Sequence, residues 1–218
     1  MLITKIYKLD NVITLKIDNS RVVKLYNNKT LLDADLYVGK KLSDKEIKNI
    51  LILDLKNYAI EKTITYLSTR LKSSYDVNKY IKKHINNNLK YYKELQLSDN
   101  EAKQLSLEIF AYLERKKYID DYKFAKAWIK DKKSQAPVGK NLILLKLKAK
   151  KINKKIIDDL FVHITDDKEI ADAKILARKK LALIHEQNPI KRKFKLQNYL
   201  IRRGFDYSIV YKVIKDIL

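Results

Sequence analysis

Along the first 25 residues apolar and polar positions alternate. Ile13, Leu15 and Ile17 lie on one side of a two-residue period, Val23 and Leu25 resume it, and Asp18-Asn19-Ser20 falls between the two runs. This predicts strand, turn and strand. Residues 3–7 supply a third strand, turned at Asp10-Asn11. A sheet of this size does not stand alone, so it is expected to dock on the helices that follow.

The period then changes. Ser43 has Glu46 three residues on, ahead of Ile47, Ile50, Leu51, Leu55 and Tyr58, which is a capping box followed by helical spacing. The helical pattern runs through Leu67 and breaks at Ser73-Ser74. Val77, Tyr80 and Ile81 begin a second helix, ended by the asparagines at 86–88. Ser98 and Glu101 open a third, carrying Leu105, Ile109, Tyr112 and Leu113. Asp120 reads as the next N-cap, with Ile119 and Phe124 at the spacing of a hydrophobic staple and Ala125, Trp128 and Ile129 carrying the helix on. Residues 135–139 form a connection. A later helix is expected to start at Asp166, with Glu169 completing its capping box, and to run past Leu176 and Leu183 until Asn188-Pro189 ends it. Gly204 separates the last two helices, where a helix end favours a left-handed residue.

Residues 138–161 and 191–214 superpose when shifted by 53 positions. Ile143 meets Leu196, Leu147 meets Leu200, Ile152 meets Phe205, Ile157 meets Val210 and Phe161 meets Ile214. Asn153 meets Asp206, and the basic pairs Lys140/Lys193 and Lys150/Arg203 coincide. A fixed period of this size marks a repeat architecture, each unit burying its apolar face partly against a neighbour. The expected fold is mainly α: three tandem three-helix repeats at 45–117, 118–163 and 164–218 in an elongated array, after a small antiparallel β element at 1–44.

Composition agrees. An apolar fraction of 46% can build a core, and three glycines and two prolines suit helices joined by short polar links. With no cysteine there are no disulfides or thiolate metal sites. The N-terminus lacks the apolar stretch of a signal peptide, and apolar runs such as 142–145 are too short to span a bilayer. A cytoplasmic monomer without membrane contact is expected.

The formal charge of +22 changes the picture most. The excess is +3, +5, +8 and +6 over residues 1–44, 45–100, 101–163 and 164–218, so it is spread along the chain. Such a chain is drawn to polyanions. The alternative is compositional drift over a solvated surface in a chain rich in Lys, Asn, Ile and Tyr. The densest basic sites are Lys146, Lys148, Lys150, Lys151, Lys154 and Lys155 on one helix pair, and Lys191, Arg192, Lys193, Arg202 and Arg203 on its copy, with Lys140 in the repeat's basic pattern. These long side chains face either water or a partner. Arg202 and Arg203 are the candidates for bidentate pairing with carboxylate or phosphate.

Catalytic chemistry is not indicated. His84, His163 and His185 have no ligand-like spacing, and no phosphate-binding loop is present. Asp120-Asp121, Asp158-Asp159 and Asp166-Asp167 invite an acid-pair reading, but two of these pairs lie at helix starts, where carboxylates cap amides and oppose the macrodipole. Trp128, i+4 from Phe124, reads as a packing residue rather than a base-stacking one. A non-enzyme without cofactor or metal is expected.

Two motifs resemble a known family. Tyr118-Ile119-Asp120-Asp121 followed by Phe124-Ala125-Lys126-Ala127-Trp128 is similar to the central signature of the RecX regulatory proteins, with Gly139, Ile143 and Leu147 matching the next helix. Leu200-Ile201-Arg202-Arg203-Gly204-Phe205 is similar to its C-terminal signature, and the likeness covers about 59–218. It implies three tandem three-helix repeats in a curved body, which binds the RecA–DNA filament and inhibits its ATPase, strand-exchange and coprotease activities. It also implies weaker binding to single- or double-stranded DNA. A basic trihelical module acting on nucleic acid without the recombinase is the alternative. Lys117 and Lys151 stand where the family pattern has glycine, which argues against tight left-handed turns there.

Overall fold

The computed structural model describes every residue except Asn19 and Lys93. Three strands, β1 (Ile3–Leu9), β2 (Val12–Ile17) and β3 (Arg21–Leu25), form an antiparallel sheet in the order β1-β2-β3. Asp10 and Asn11 both take positive φ, +48° and +66°, the two-residue turn that matches strand twist. The middle residue of the turn expected at 18–20 lies outside the described residues. Among the described residues ten α-helices follow: α1 (Lys29–Asp33), α2 (Asp44–Ser68), α3 (Ser74–Asn88), α4 (Asp99–Arg115), α5 (Asp121–Gln135), α6 (Lys140–Ala149), α7 (Lys154–Phe161), α8 (Asp166–Leu181), α9 (Pro189–Arg202) and α10 (Tyr207–Ile217). The mainly helical class and the N-terminal sheet are as expected. Only α1 has no precursor in the apolar pattern.

The chain divides into two compact units, residues 1–72 with 76–119, and residues 73–75 with 120–218. In the first, the sheet does not stand alone. Ile13, Leu15, Ile17, Val23 and Leu25 share one core with Leu51 and Leu55 of α2, Ile81 of α3 and Ile109 of α4. Both expected capping boxes form, Ser43 with Glu46 and Ser98 with Glu101. Lys48–Glu101 at 3.0 Å and Lys56–Glu108 at 2.7 Å join α2 to α4. Asp54 of α2 is fully buried. Its Oδ2 accepts from Tyr26 N at 2.6 Å and Tyr92 Oη at 2.8 Å, and its Oδ1 from Asn27 N at 3.0 Å and Thr30 Oγ1 at 2.7 Å. Burial pushes this carboxyl above its ordinary pKa while the four donors pull against the shift.

The second unit carries the duplication. Ile143 and Leu196, Leu147 and Leu200, and Ile157 and Val210 are each buried in matching places of two separate cores, one under α5–α7 and one under α8–α10. The caps match too. Asn153 accepts from Lys155 N at 2.9 Å and Asp206 from Ser208 N at 3.0 Å. Trp128 packs against the α5–α7 core, as its spacing implied.

Four expectations need correction. The N-cap of α8 is Thr165, not Asp166, and Glu169 does not close a box because its carboxylate is engaged elsewhere. α8 stops at Leu181, and Pro189 begins α9 at its first position, where a missing N–H costs nothing. Ile119 lies in the core of the first unit and Phe124 in that of the second, so the two are not a local staple. Lys117 and Lys151 do adopt left-handed turns, φ +59° and +58°, as Gly204 does at +88°.

Those three turns are one motif. Tyr118 N donates to Leu113 O at 3.0 Å and Lys117 N to Glu114 O at 2.8 Å; Ile152 N donates to Leu147 O at 3.2 Å and Lys151 N to Lys148 O at 2.9 Å. Phe205 N donates to Leu200 O at 3.3 Å and Gly204 N to Ile201 O at 2.9 Å. Two backbone bonds close each helix end and hold the lysines in place against a strain of about 1–2 kcal/mol. Lys151→Gly is therefore expected to raise stability by about 0.5–1 kcal/mol, the strain relieved less the entropy a glycine adds to the unfolded chain. Lys151→Ala keeps the Cβ and should leave the urea midpoint where it is.

Candidate partner-binding surface

Much of the family-like motif is structural. Within the second unit, the N-terminus of α6 meets the C-terminus of α9. Gly139 N donates to Arg203 O and Asn141 N to Gly204 O, both at 3.0 Å. Lys140 N donates to Glu169 Oε1 at 2.7 Å. Gly139, the N-cap of α6, has no side chain to cap with, so Glu169 of α8 supplies a carboxylate from a distant part of the chain. Glu169 is buried, which pushes its carboxyl pKa up, against the pull of the Lys140 N–H and the charges of Lys133 and Lys140. The backbones approach so closely that a Cβ on Gly139 would lie 2.2 Å from Gly204 C. Leu147, Leu200 and Phe205 are core residues.

Of the paired acids, Asp120 and Asp121 are also structural. Asp120 caps α5, accepting from Lys123 N at 2.9 Å. Asp121 accepts from Ser74 N at 2.7 Å and Ser74 Oγ at 2.6 Å. Asp158, Asp159, Asp166 and Asp167 are exposed, and among the described residues no group of three His, Cys, Asp or Glu is placed to hold a metal ion. Tyr118 is exposed, and Ile119, Phe124 and Ala125 are buried.

The predicted basic residues separate into two kinds. Lys146, Lys151, Lys154, Lys155, Lys191, Lys193 and Arg202 are exposed, whereas Lys140, Lys150, Arg192 and Arg203 are partly buried. Arg203 is tied inward, its Nη2 donating to Pro137 O at 2.7 Å, and so belongs to the joint rather than to an open surface. Lys140 Nζ sits 5.4 Å from the centre of the Phe161 ring, a cation–π contact within the repeat.

Several cations, all exposed but the partly buried Arg192, stand at helix starts. Lys154 and Lys155 open α7, and Lys191 and Arg192 lie in the first turn of α9, with no acid in either first turn. A cation at a helix N-terminus opposes the macrodipole by about 0.3–1 kcal/mol, so local helix stability does not account for these positions. Two positions were not singled out from the sequence. Lys180 stands 5.5 Å over the Tyr199 ring, and Lys195 pairs with Glu186 at 2.8 Å. Both line a groove between the end of α8 and α9 that also holds His185, Asn198 and Arg202.

Tandem three-helix groups with duplicated cores, closed by one recurring turn and coated with cations, define a helical repeat protein. The family model for the third three-helix domain of RecX matches residues 167–214, the α8–α10 group. Proteins called regulatory protein RecX are similar over most of the chain. That of Bacillus cytotoxicus is 23% identical over 191 residues, covering 88% of this chain and 65% of its own length. That of Bacillus pumilus is 27% identical, covering 85% and 65%. The chain thus spans less than two thirds, 65%, of the length of these relatives. A crystal structure of a regulatory protein RecX superposes with a TM-score of 0.75 at 24% identity, over 99% of this chain and 98% of the other. RecX from Lactobacillus salivarius gives 0.59 at 20% identity, over 76% and 97%. The chain is thus similar to RecX regulatory proteins over most of its length, and its α8–α10 group matches the third three-helix domain of that family. No helix among the described residues is long and apolar enough to cross a membrane.

Proposed function

We propose that this chain is a non-enzymatic regulator that binds RecA recombinase filaments on DNA and restrains their ATPase, strand-exchange and coprotease activities in recombination and repair. The observation that carries this reading is the repeated three-helix module whose exposed helix starts carry cations that local stability does not explain. Repeated modules suit a repeating partner, because several weak contacts sum to high avidity. A filament of protein wound on DNA offers both carboxylates and phosphates to Lys154, Lys155, Lys191 and Arg202. The chain acts as a cytoplasmic monomer in this reading, with repeats at 45–117, 118–163 and 164–218 as its modules. The test is the single-strand-dependent ATPase of the cognate recombinase. Inhibition at less than one regulator per recombinase subunit is expected, and full ATPase activity at a one-to-one ratio in moderate salt would refute the proposal.

Direct nucleic-acid binding is the second reading, favoured by the net charge of +22. It requires affinity for DNA alone that falls steeply with salt. Negligible DNA affinity at physiological salt would remove it.

A further inference from the structure

The two copies of the repeat agree inside and disagree outside. On α9 the buried residues are Leu196 and Leu200, yet Ile190, Phe194 and Ile201 stand 72%, 61% and 42% exposed. Their spacing of i, i+4 and i+11 places all three on one stripe of the helix, away from the buried side. At the equivalent places of the first copy, 53 residues earlier, are Pro137, Asn141 and Lys148. Pro137 precedes α6, and Asn141 and Lys148 are polar positions on it, so the equivalent core forms without an apolar stripe on the helix. Lys191, Lys195 and Arg202 follow the same spacing alongside the stripe, and α9 holds five cations and no carboxylate in its 14 residues.

We infer that the outer face of α9 is the protein-contacting element, and that it docks on an acidic protein surface offering an apolar hollow for Phe194 flanked by carboxylates for Lys191 and Arg202. The inference rests on the proposed function and locates its main protein contact. Charge complementarity sets the sign of the partner. The apolar stripe sets its class: a phosphate backbone has nothing to cover Ile190, Phe194 and Ile201, whereas protein interfaces bury such residues at their centre and ring them with polar groups. Leu183 on one side of α9 and Tyr211 on the other are also exposed and line the grooves that border it, which extends the apolar area beyond a single helix.

The experiment compares the unaltered chain with a triple variant, Ile190→Gln, Phe194→Gln and Ile201→Gln. Binding is measured to the cognate recombinase filament assembled on single-stranded DNA, and separately to the same DNA alone. The replaced side chains are exposed, so the unfolding midpoint should stay unchanged; if it falls, Phe194→Gln alone serves, with a threefold or greater loss expected. The inference expects at least a tenfold loss of filament affinity and less than a twofold change for DNA alone. Equal losses for both would assign the stripe to nucleic acid and overturn the inference. Unchanged filament affinity would overturn it while leaving the proposed function standing. Failure of the unaltered chain to bind the filament would overturn both.

Discussion

Replacing Gly139 with alanine should lower the stability of the second unit by about 3–5 kcal/mol, the range of a steric clash combined with broken buried hydrogen bonds. The added methyl would sit 2.2 Å from Gly204 C and 2.3 Å from Gly204 O and Phe205 N. These are backbone atoms, and no rotamer change moves them aside. α6 must shift away from the end of α9, and the amides of Gly139, Lys140 and Asn141 lose their partners Arg203 O, Glu169 and Gly204 O. The conformation of Gly139 itself is ordinary, φ −74°, so the whole effect is one of space. Gly39 makes the contrast. It has φ +97° and nothing within 4 Å of an added Cβ, so Gly39→Ala should cost only the strain of a left-handed alanine, about 1–2 kcal/mol. Trp128, the only tryptophan, packs on the α5–α7 core, so its fluorescence in a urea titration reads the Gly139 effect directly. A Gly139→Ala midpoint equal to that of the unaltered chain would mean that the α6–α9 joint does not hold the unit together.

What the sequence alone revealed follows from the range of the interactions. Alternation at Ile13, Leu15 and Ile17 and the boxes at Ser43 and Ser98 are local, spanning a few residues, and each formed as read. The 53-residue shift located the buried positions of four helices, because apolar spacing is what a repeat preserves. The joint between the copies was not legible. Gly139 read as part of a linker, Glu169 as half of a local cap and Arg203 as a surface cation. Their real partners lie 29 to 66 residues away along the chain. α1 was invisible for a similar reason. Five residues hold no helical period, and Thr30 is held by Asp54, 24 positions on. The left-handed lysines show that a missing glycine does not remove a turn when two backbone bonds and the following helix hold it closed. For the candidate surface, composition gave the sign of the charge, but only burial separated the inward Arg203 from the open Arg202. The stripe on α9 became distinct once its other face was known to be filled.

Asp54 tests the first unit as Gly139 tests the second. Asp54→Ala should cost about 3–5 kcal/mol, because four donors, three of them buried, lose their acceptor at once. The residue links the end of β3, the start of α1 and the 3₁₀ turn at Leu89–Tyr91 through Tyr26 N, Asn27 N, Thr30 Oγ1 and Tyr92 Oη. A single carboxylate thus fastens the small sheet to the helices beneath it, and the sheet's six buried core residues, Ile3 among them, depend on that attachment. Asp54→Asn is expected to fall between, at about 1–3 kcal/mol. Its carbonyl can still accept from Asn27 and Thr30, but its amide group turns two N–H donors towards Tyr26 N, which is itself a donor. Tyr92 can rotate its hydroxyl to accept, so the loss concentrates at Tyr26. Amide hydrogen exchange resolves the two variants. In Asp54→Ala both Tyr26 and Asn27 should exchange much faster, while in Asp54→Asn the increase should be confined to Tyr26. Equal protection of both amides in the unaltered chain and in Asp54→Ala would show that the sheet is held by its apolar face alone.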